Sequence, residues 1–259
     1  DAYHWTGAGG DDRAWSTPAN WGLDSGCPND ASCAVWFHGD ATVTVGGTYS
    51  VGAIYIAPSA TVTLRRSGET NGRLSNISTL GLEATAGDKI ALDGVDLDSV
   101  AIAGGSYIDW YADLEILENA SATNTIYARN ADNTVNNSGI NYRGNLSGSG
   151  NLQLSRNGNN QGRGGVCLYG DNGAFSGVCI IRCSGTYTRG PATFCSLASG
   201  SALARWVYPD STHPYALSGT IAAAVSDGTV RFGAYEGHSY ILGCSKHACR
   251  SEEHTSELQ

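Results

Sequence analysis

Residues 41–64, ATVTVGGTYSVGAIYIAPSATVTL, alternate β-branched with small residues in runs of five to seven, broken at Gly46-Gly47, Gly52 and Pro58. Alternation with period two is the pattern of a strand with one buried face, and the Gly and Pro breaks are turns. The tetrad Ala-Thr-Val-Thr at Ala41–Thr44 returns at Ala60–Thr63, 19 residues on. Self-similarity at about twenty residues is what one coil of a parallel β-solenoid requires. The theme recurs loosely at Lys89–Leu92, Ser99–Ile102, Leu114–Leu117, Thr125–Ala128, Asn151–Leu154, Val178–Ile181, Thr220–Val225 and Thr229–Phe232. Residues 109–118, DWYADLEILE, fit a helical turn or one buried strand, and the Gly-rich strands on either side favour the strand.

Composition agrees with a coil. Gly supplies 35 of 259 residues and charged residues only 15%. Helical bundles are disfavoured, because each helix-interior Gly costs roughly 1 kcal/mol relative to Ala. Solenoid corners use Gly, Asn and Asp, which tolerate positive φ, while inward positions take Val, Ile, Leu or Ala. The chain is therefore expected to be all-β, a parallel β-helix over residues 39–249 behind an N-terminal cap over 1–38. A β-sandwich or jelly roll, with turns every 8–12 residues, is the alternative.

The formal charge of −9 gives no electrostatic reason to expect nucleic acid. No apolar run is long enough for a transmembrane helix. With no Met in the chain, Asp1 reads as a processed or cut start after a removed signal peptide, and the expected location is secreted or cell-surface. Eight Cys in close groups support that compartment as disulfide candidates: Cys27 and Cys33; Cys167, Cys179, Cys183 and Cys195; Cys244 and Cys249. Cys244, His247 and Cys249 form the best metal-like cluster, but the spacing is not that of a zinc site. No metal or other cofactor is expected. Sequons stand at Asn76, Asn119, Asn136 and Asn145. The last ten residues, RSEEHTSELQ, resemble the translation of a sequencing-library adapter; without them the charge is −7, from 21 acidic and 14 basic residues.

Four of the six Trp lie before residue 37: Trp5, Trp15, Trp21 and Trp36. Flat indoles stack on sugar rings, so these four are candidates for a glycan platform. The preferred reading is a cap over the open core of a first coil. The block Trp5-Thr6-Gly7, then Trp15-Ser16-Thr17-Pro18-Ala19-Asn20-Trp21, then Gly39–Val45, resembles the N-terminal region of large secreted bacterial proteins with autotransporter-type β-strand repeats. Asn145–Leu152, Leu168–Asn172 and Phe175–Gly177 resemble the Leu-Ser-Gly-x-Gly-x-Leu and Leu-x-Gly-x-Asn-x-aromatic-Ser-Gly pattern of that repeat. The segment 71–137 matches it poorly, and the family usually lacks so many Cys. The resemblance implies a right-handed parallel β-helix outside the cell, serving as a surface passenger, adhesin or filament subunit. Expected partners are other copies, joined head to tail through unpaired strand edges, or surface glycans.

β-Helices also carry polysaccharide hydrolases and lyases, which is the alternative function. Hydrolysis needs two carboxylates about 5–10 Å apart. The candidates are Asp93, Asp96 and Asp98 in DGVDLD, and Asp109 with Asp113. Asp96 and Asp98 would share one strand face and could bind Ca²⁺ weakly; the plainer reading is solvated turn carboxylates. Asp11-Asp12 falls in the cap turn. No residue emerges as catalytic from the spacing of Ser, His or Lys.

Overall fold

A computed structural model describes residues 1–103, 106–129, 131, 138–157, 166–170 and 174–177, and beyond these the backbone of strands at 179–183, 193–194, 204–206, 219–221, 231–235 and 238–241. It is a parallel β-helix. Strand β1 (Ala2–His4) and a 3-10 turn (Pro18–Trp21) precede the coils. The first coil runs through β2 (Asp30–Phe37), β3 (Ala41–Val45) and the start of β4 (Thr48–Ile56). The second takes the end of β4, β5 (Thr61–Arg66) and β6 (Gly72–Ile77); the third β7 (Thr79–Leu80), β8 (Lys89–Asp93) and β9 (Val95–Ser99). Next come β10 (Tyr107–Trp110), β11 (Asp113–Ile116) and β12 (Thr123–Arg129), then β13 (Gly139–Tyr142), β14 (Leu146–Gly148) and β15 (Asn151–Asn157). A sixth coil holds β16 (Val166–Leu168), β17 (Ala174–Phe175) and β18 (Cys179–Cys183).

Each coil contributes one strand to each of three parallel faces. Ala41 pairs with Val62, Val62 with Ile90, Ile90 with Leu114 and Leu114 with Leu146. A coil on this face is thus 21 to 32 residues, longer than the twenty read from the tetrads. Thr42 stacks on Thr63, so the second tetrad is shifted by two residues against the first. Parallel pairing throughout these coils excludes the sandwich. It also holds for the described strands β6 to β12, where the family resemblance is weak. Strand β18 pairs in parallel with β20 (Ala204–Trp206), after β19 (Thr193–Phe194) has extended the first face; β21 (Gly219–Ile221) joins β20 antiparallel, and β22 (Arg231–Tyr235) pairs antiparallel with β23 (His238–Ile241).

Strand β4 serves two faces. Thr48–Ser50 pair with β6, and Ala53 and Ile54 with β7, so the strand bends near Gly52. A Cβ at Gly52 would stand 2.1 Å from the Ala31 carbonyl oxygen, and only Gly allows the previous coil so close. Inside the coils, apolar side chains stack in rows. Ile54, Leu80, Trp110, Tyr142 and Leu168 form one; Val43, Leu64, Leu92 and Ile116 a second; Leu74, Leu97, Ile126 and Leu154 a third, and all are buried. Burying each such side chain stabilises the fold by roughly 1.5–3 kcal/mol, before the entropy of ordering it.

Two local expectations change. The segment 109–118 is not one strand: the backbone N–H groups of Tyr111 and Ala112 both donate to the Leu80 carbonyl, and the chain turns a corner there between β10 and β11. The strand expected at Ser99–Ile102 lies earlier, at Val95–Ser99, and takes in Asp96 and Asp98, while Asp93 ends β8.

Candidate functional site

The cap is assembled from the N-terminal block. Trp15 is fully buried, and its indole N–H donates to the Pro28 carbonyl at 2.9 Å; Trp21 is nearly so and donates to the Trp15 carbonyl at 2.7 Å. The two rings meet edge to face, with centroids 4.8 Å apart, and Trp5 meets Trp21 likewise at 5.0 Å. Segment 13–15 also extends the β3 face: Trp15 N–H donates to Thr44 O, and Thr44 N–H to Arg13 O. Together with β1 on β2, this covers the N-terminal edges of two of the three faces.

Asn20 holds the loop above the cap. It is fully buried; its Oδ1 accepts from Gly9 N–H, and its Nδ2 donates to the carbonyls of Asp12 and Ala14. Asp12 braces the same loop by accepting from Ala14 N–H and the Thr17 hydroxyl, which holds its carboxyl below the usual range. These contacts place Arg13 over a cleft of about 530 Å³. The cleft is lined by Trp5, Thr6 and Gly7 of the cap, by Arg13, by the corner from His38 to Thr42, and by Thr61 and Thr63 of β5. That volume lies within the ~300–1,000 Å³ of small-molecule sites. Gly7 has a φ of +62°, and a Cβ there would stand 2.8 Å from Arg13 Nη1 and 3.5 Å from Trp5 Nε1. Arg13 Nη1 and Trp5 Nε1 therefore both lie close to a bare glycine.

The four Trp do not form one platform. Trp15 and Trp21 are core, Trp5 lines the cleft, and Trp36 belongs to an outward ladder. There His4 of β1 and Trp36 of β2 stack at 6.4 Å, and Trp36 lies 4.2 Å from Tyr55 of β4. His38 joins them, with its Nε2 2.7 Å from His4 Nδ1. Ring neighbours above and below take up the faces that a sugar would need.

The acidic candidates are used in pairing between coils. Asp96 and Asp98 do share one face, on β9, but both are buried. Arg73 lies 3.8 Å from Asp96 and 3.6 Å from Asp98, and its guanidinium sits over the Tyr127 ring. The Asp96 carboxylate accepts from Asn71 Nδ2 and Thr125 N–H; burial still pushes it up. Burial pushes Asp98 up to about 6, against the pull of Arg73 and Arg129. These are not solvated turn carboxylates: both are buried and face the Arg73 guanidinium. Asp93 faces Arg65 at 3.6 Å, and Asp109 accepts from Arg143 at 2.7 Å. Asp113 Oδ1 accepts from Asn145 N–H. Among the described residues no three His, Cys, Asp or Glu side chains converge as metal ligands.

Cys27 and Cys33 are both free thiols, so the expected staple is not formed. Cys33 is buried on β2 and faces Tyr3 of β1, whose hydroxyl it pushes up; burial raises the Cys27 thiol. The side chains of Cys167, Cys179 and Cys183 lie outside the described residues, as do Cys195, Cys244, His247, Cys249, Asn136 and the tail 250–259. Of the other sequons, Asn76 donates to the Ser50 hydroxyl and Asn119 to Asp93, whereas Asn145 is exposed. No described helix is long and apolar enough to cross a membrane.

Arg13, Asn20 and Asp40 were not marked by sequence. Asn20 sits inside the motif that the Trp residues dominate, and its signal was a polar residue flanked by core aromatics. Arg13 and Asp40 carried none, because only the fold brings residues 5–13, 38–42 and 61–63 together. Compared with protein-family models, with curated proteins and with solved structures, the chain matches none.

Proposed function

We propose that the protein is a non-enzymatic extracellular β-helix, a structural and adhesive surface element whose capped N-terminal end carries the binding cleft. The observation that supports this most is the fate of the acids. Asp93, Asp96, Asp98 and Asp109 face arginines, and Glu115 faces Lys89, so the carboxylates link neighbouring segments and coils. A hydrolase or lyase needs accessible carboxylates converging on a groove. Asp96 and Asp98 have the company of a base, but both are less than a tenth exposed.

Adhesion through the cleft fits the closed form of this end better than head-to-tail growth from it, since β1 and segment 13–15 already occupy two strand edges. In the first coils, cohesion rests on ladders and ion pairs, with Cys27 and Cys33 left as thiols. Secretion and surface display complete the reading and follow from the family resemblance.

The test is a panel of immobilised and soluble polysaccharides. The expected result is retention of the protein on at least one coated surface with no release of reducing ends and no unsaturated product absorbing in the ultraviolet. Depolymerisation that Asp98→Asn abolishes while the fold is retained would replace this reading with the enzymatic one.

A further inference from the structure

We propose that the N-terminal cleft binds a carboxylated sugar, a hexuronate unit of an acidic polysaccharide, with Arg13 and the Trp5 indole N–H as the carboxylate donors; this rests on the adhesive reading above. Arg13 is the guanidinium that lines this cleft. Its Nη1 donates to the Gly7 carbonyl at 3.3 Å, and no carboxylate pairs with it among the described residues. Arg65, Arg73, Lys89 and Arg143 all face carboxylates, and Arg66 is held by the Glu69 carbonyl and Ser121. In a chain of net charge −9, an unpaired guanidinium in a cleft is a specific invitation to an anion. The Gly7 geometry sets a second N–H donor, Trp5 Nε1, beside it.

The rest of the lining selects a sugar over a simple anion. Asp40 is in the same cleft, with Oδ1 accepting from Thr61 N–H. Its second carboxylate oxygen repels a phosphate or sulfate but accepts from a ring hydroxyl. Thr42, Thr61 and Thr63 supply hydroxyl partners of either polarity. A ligand with one carboxylate and several hydroxyls satisfies both charges. Recognition rests on the hydrogen-bonding groups of this lining.

The experiment is calorimetric titration of the whole chain at low salt with oligogalacturonate and with its fully methyl-esterified form, which removes the charge and keeps the ring. The acid is expected to bind at least about tenfold more tightly than the ester. Arg13→Gln, at an exposed position, is expected to lose that difference while leaving the circular dichroism unchanged. Equal binding of acid and ester, or of acid by wild type and Arg13→Gln, overturns the carboxylate assignment and leaves adhesion standing. Inorganic phosphate competing as well as the oligomer's carboxylates also overturns it, as that is the behaviour of a bare cation. Binding of neither oligomer, with no retention on any polysaccharide surface, overturns both.

Discussion

Asp88 offers a direct test of how this β-helix treats buried charge. It sits at the corner before β8, 2% exposed, with Oδ2 buried and lacking any hydrogen-bond partner. Burial pushes it up from 3.8 to about 6, and the nearby Asp113 carboxylate pushes the same way. A raised acid is held more tightly by its proton in the folded chain than in the unfolded one. Between pH ~4 and ~6 the folded state therefore binds more protons, and stability falls as pH rises, levelling off above about 6 to 7. At about 1.4 kcal/mol per tenfold, the gap from 3.8 to about 6 is worth up to about 3 kcal/mol at neutral pH. Asp88→Asn keeps the shape of the protonated acid and removes the charge. The variant should gain about 1–3 kcal/mol over wild type at pH 7.5 and nothing at pH 3.5. Urea unfolding of both proteins at the two pH values measures it, with the unfolding slope checked for constancy. A variant that is less stable at pH 7.5, or a difference that is the same at both pH values, would refute the reasoning. Asp98, which has the same sense of shift, contributes equally to both proteins and cancels.

The cap and the ion pairs give further tests. Trp15→Ala should cost about 3–5 kcal/mol in urea unfolding, because it opens the first coil and removes the bond to Pro28. Asn20→Ala loses three loop hydrogen bonds and should cost about 2–3 kcal/mol while weakening ligand binding in the cleft, as Arg13 is no longer held. Arg73→Met removes the cation nearest to Asp96 and Asp98; it should destabilise by about 1–3 kcal/mol at pH 7.5 and recover toward wild type as the pH falls below about 6, where Asp98 takes up its proton. Arg143→Ala, which removes an exposed pair with Asp109, should change the unfolding midpoint by less than the equivalent of about 1 kcal/mol.

Parts of the fold were legible because they depend on local alternation. The runs at 41–45 and 61–66 became β3 and β5, and the Trp-rich block became a cap in which Trp15 and Trp21 close the core. Coil length was misread, because the repeated tetrad reports strand composition while the register is set by turn lengths and by what each strand must stack on. The corner at Tyr111–Ala112 was invisible for the same reason: nothing local distinguishes it from a continuing strand until Leu80 of the previous coil accepts both N–H groups. Asp96 and Asp98 were correctly put on one face, but their burial came from Arg73, Asn71 and Thr125 on neighbouring coils.

The sequence alone determined a chain of short strands with period-two runs closed by Gly, which suits a coil or a sandwich; the parallel register that makes it a coil came from the tertiary structure. The sequence also determined the aromatic cap. The tertiary structure decided where the chemistry lies. Side chains from residues 5–13, 38–42 and 61–63 meet in one cleft only because parallel coils stack strands about 4.8 Å apart, bringing together residues some twenty positions distant and paired by register. That same register assigns the carboxylates to ion pairs between coils and leaves Arg13 facing the cleft without one.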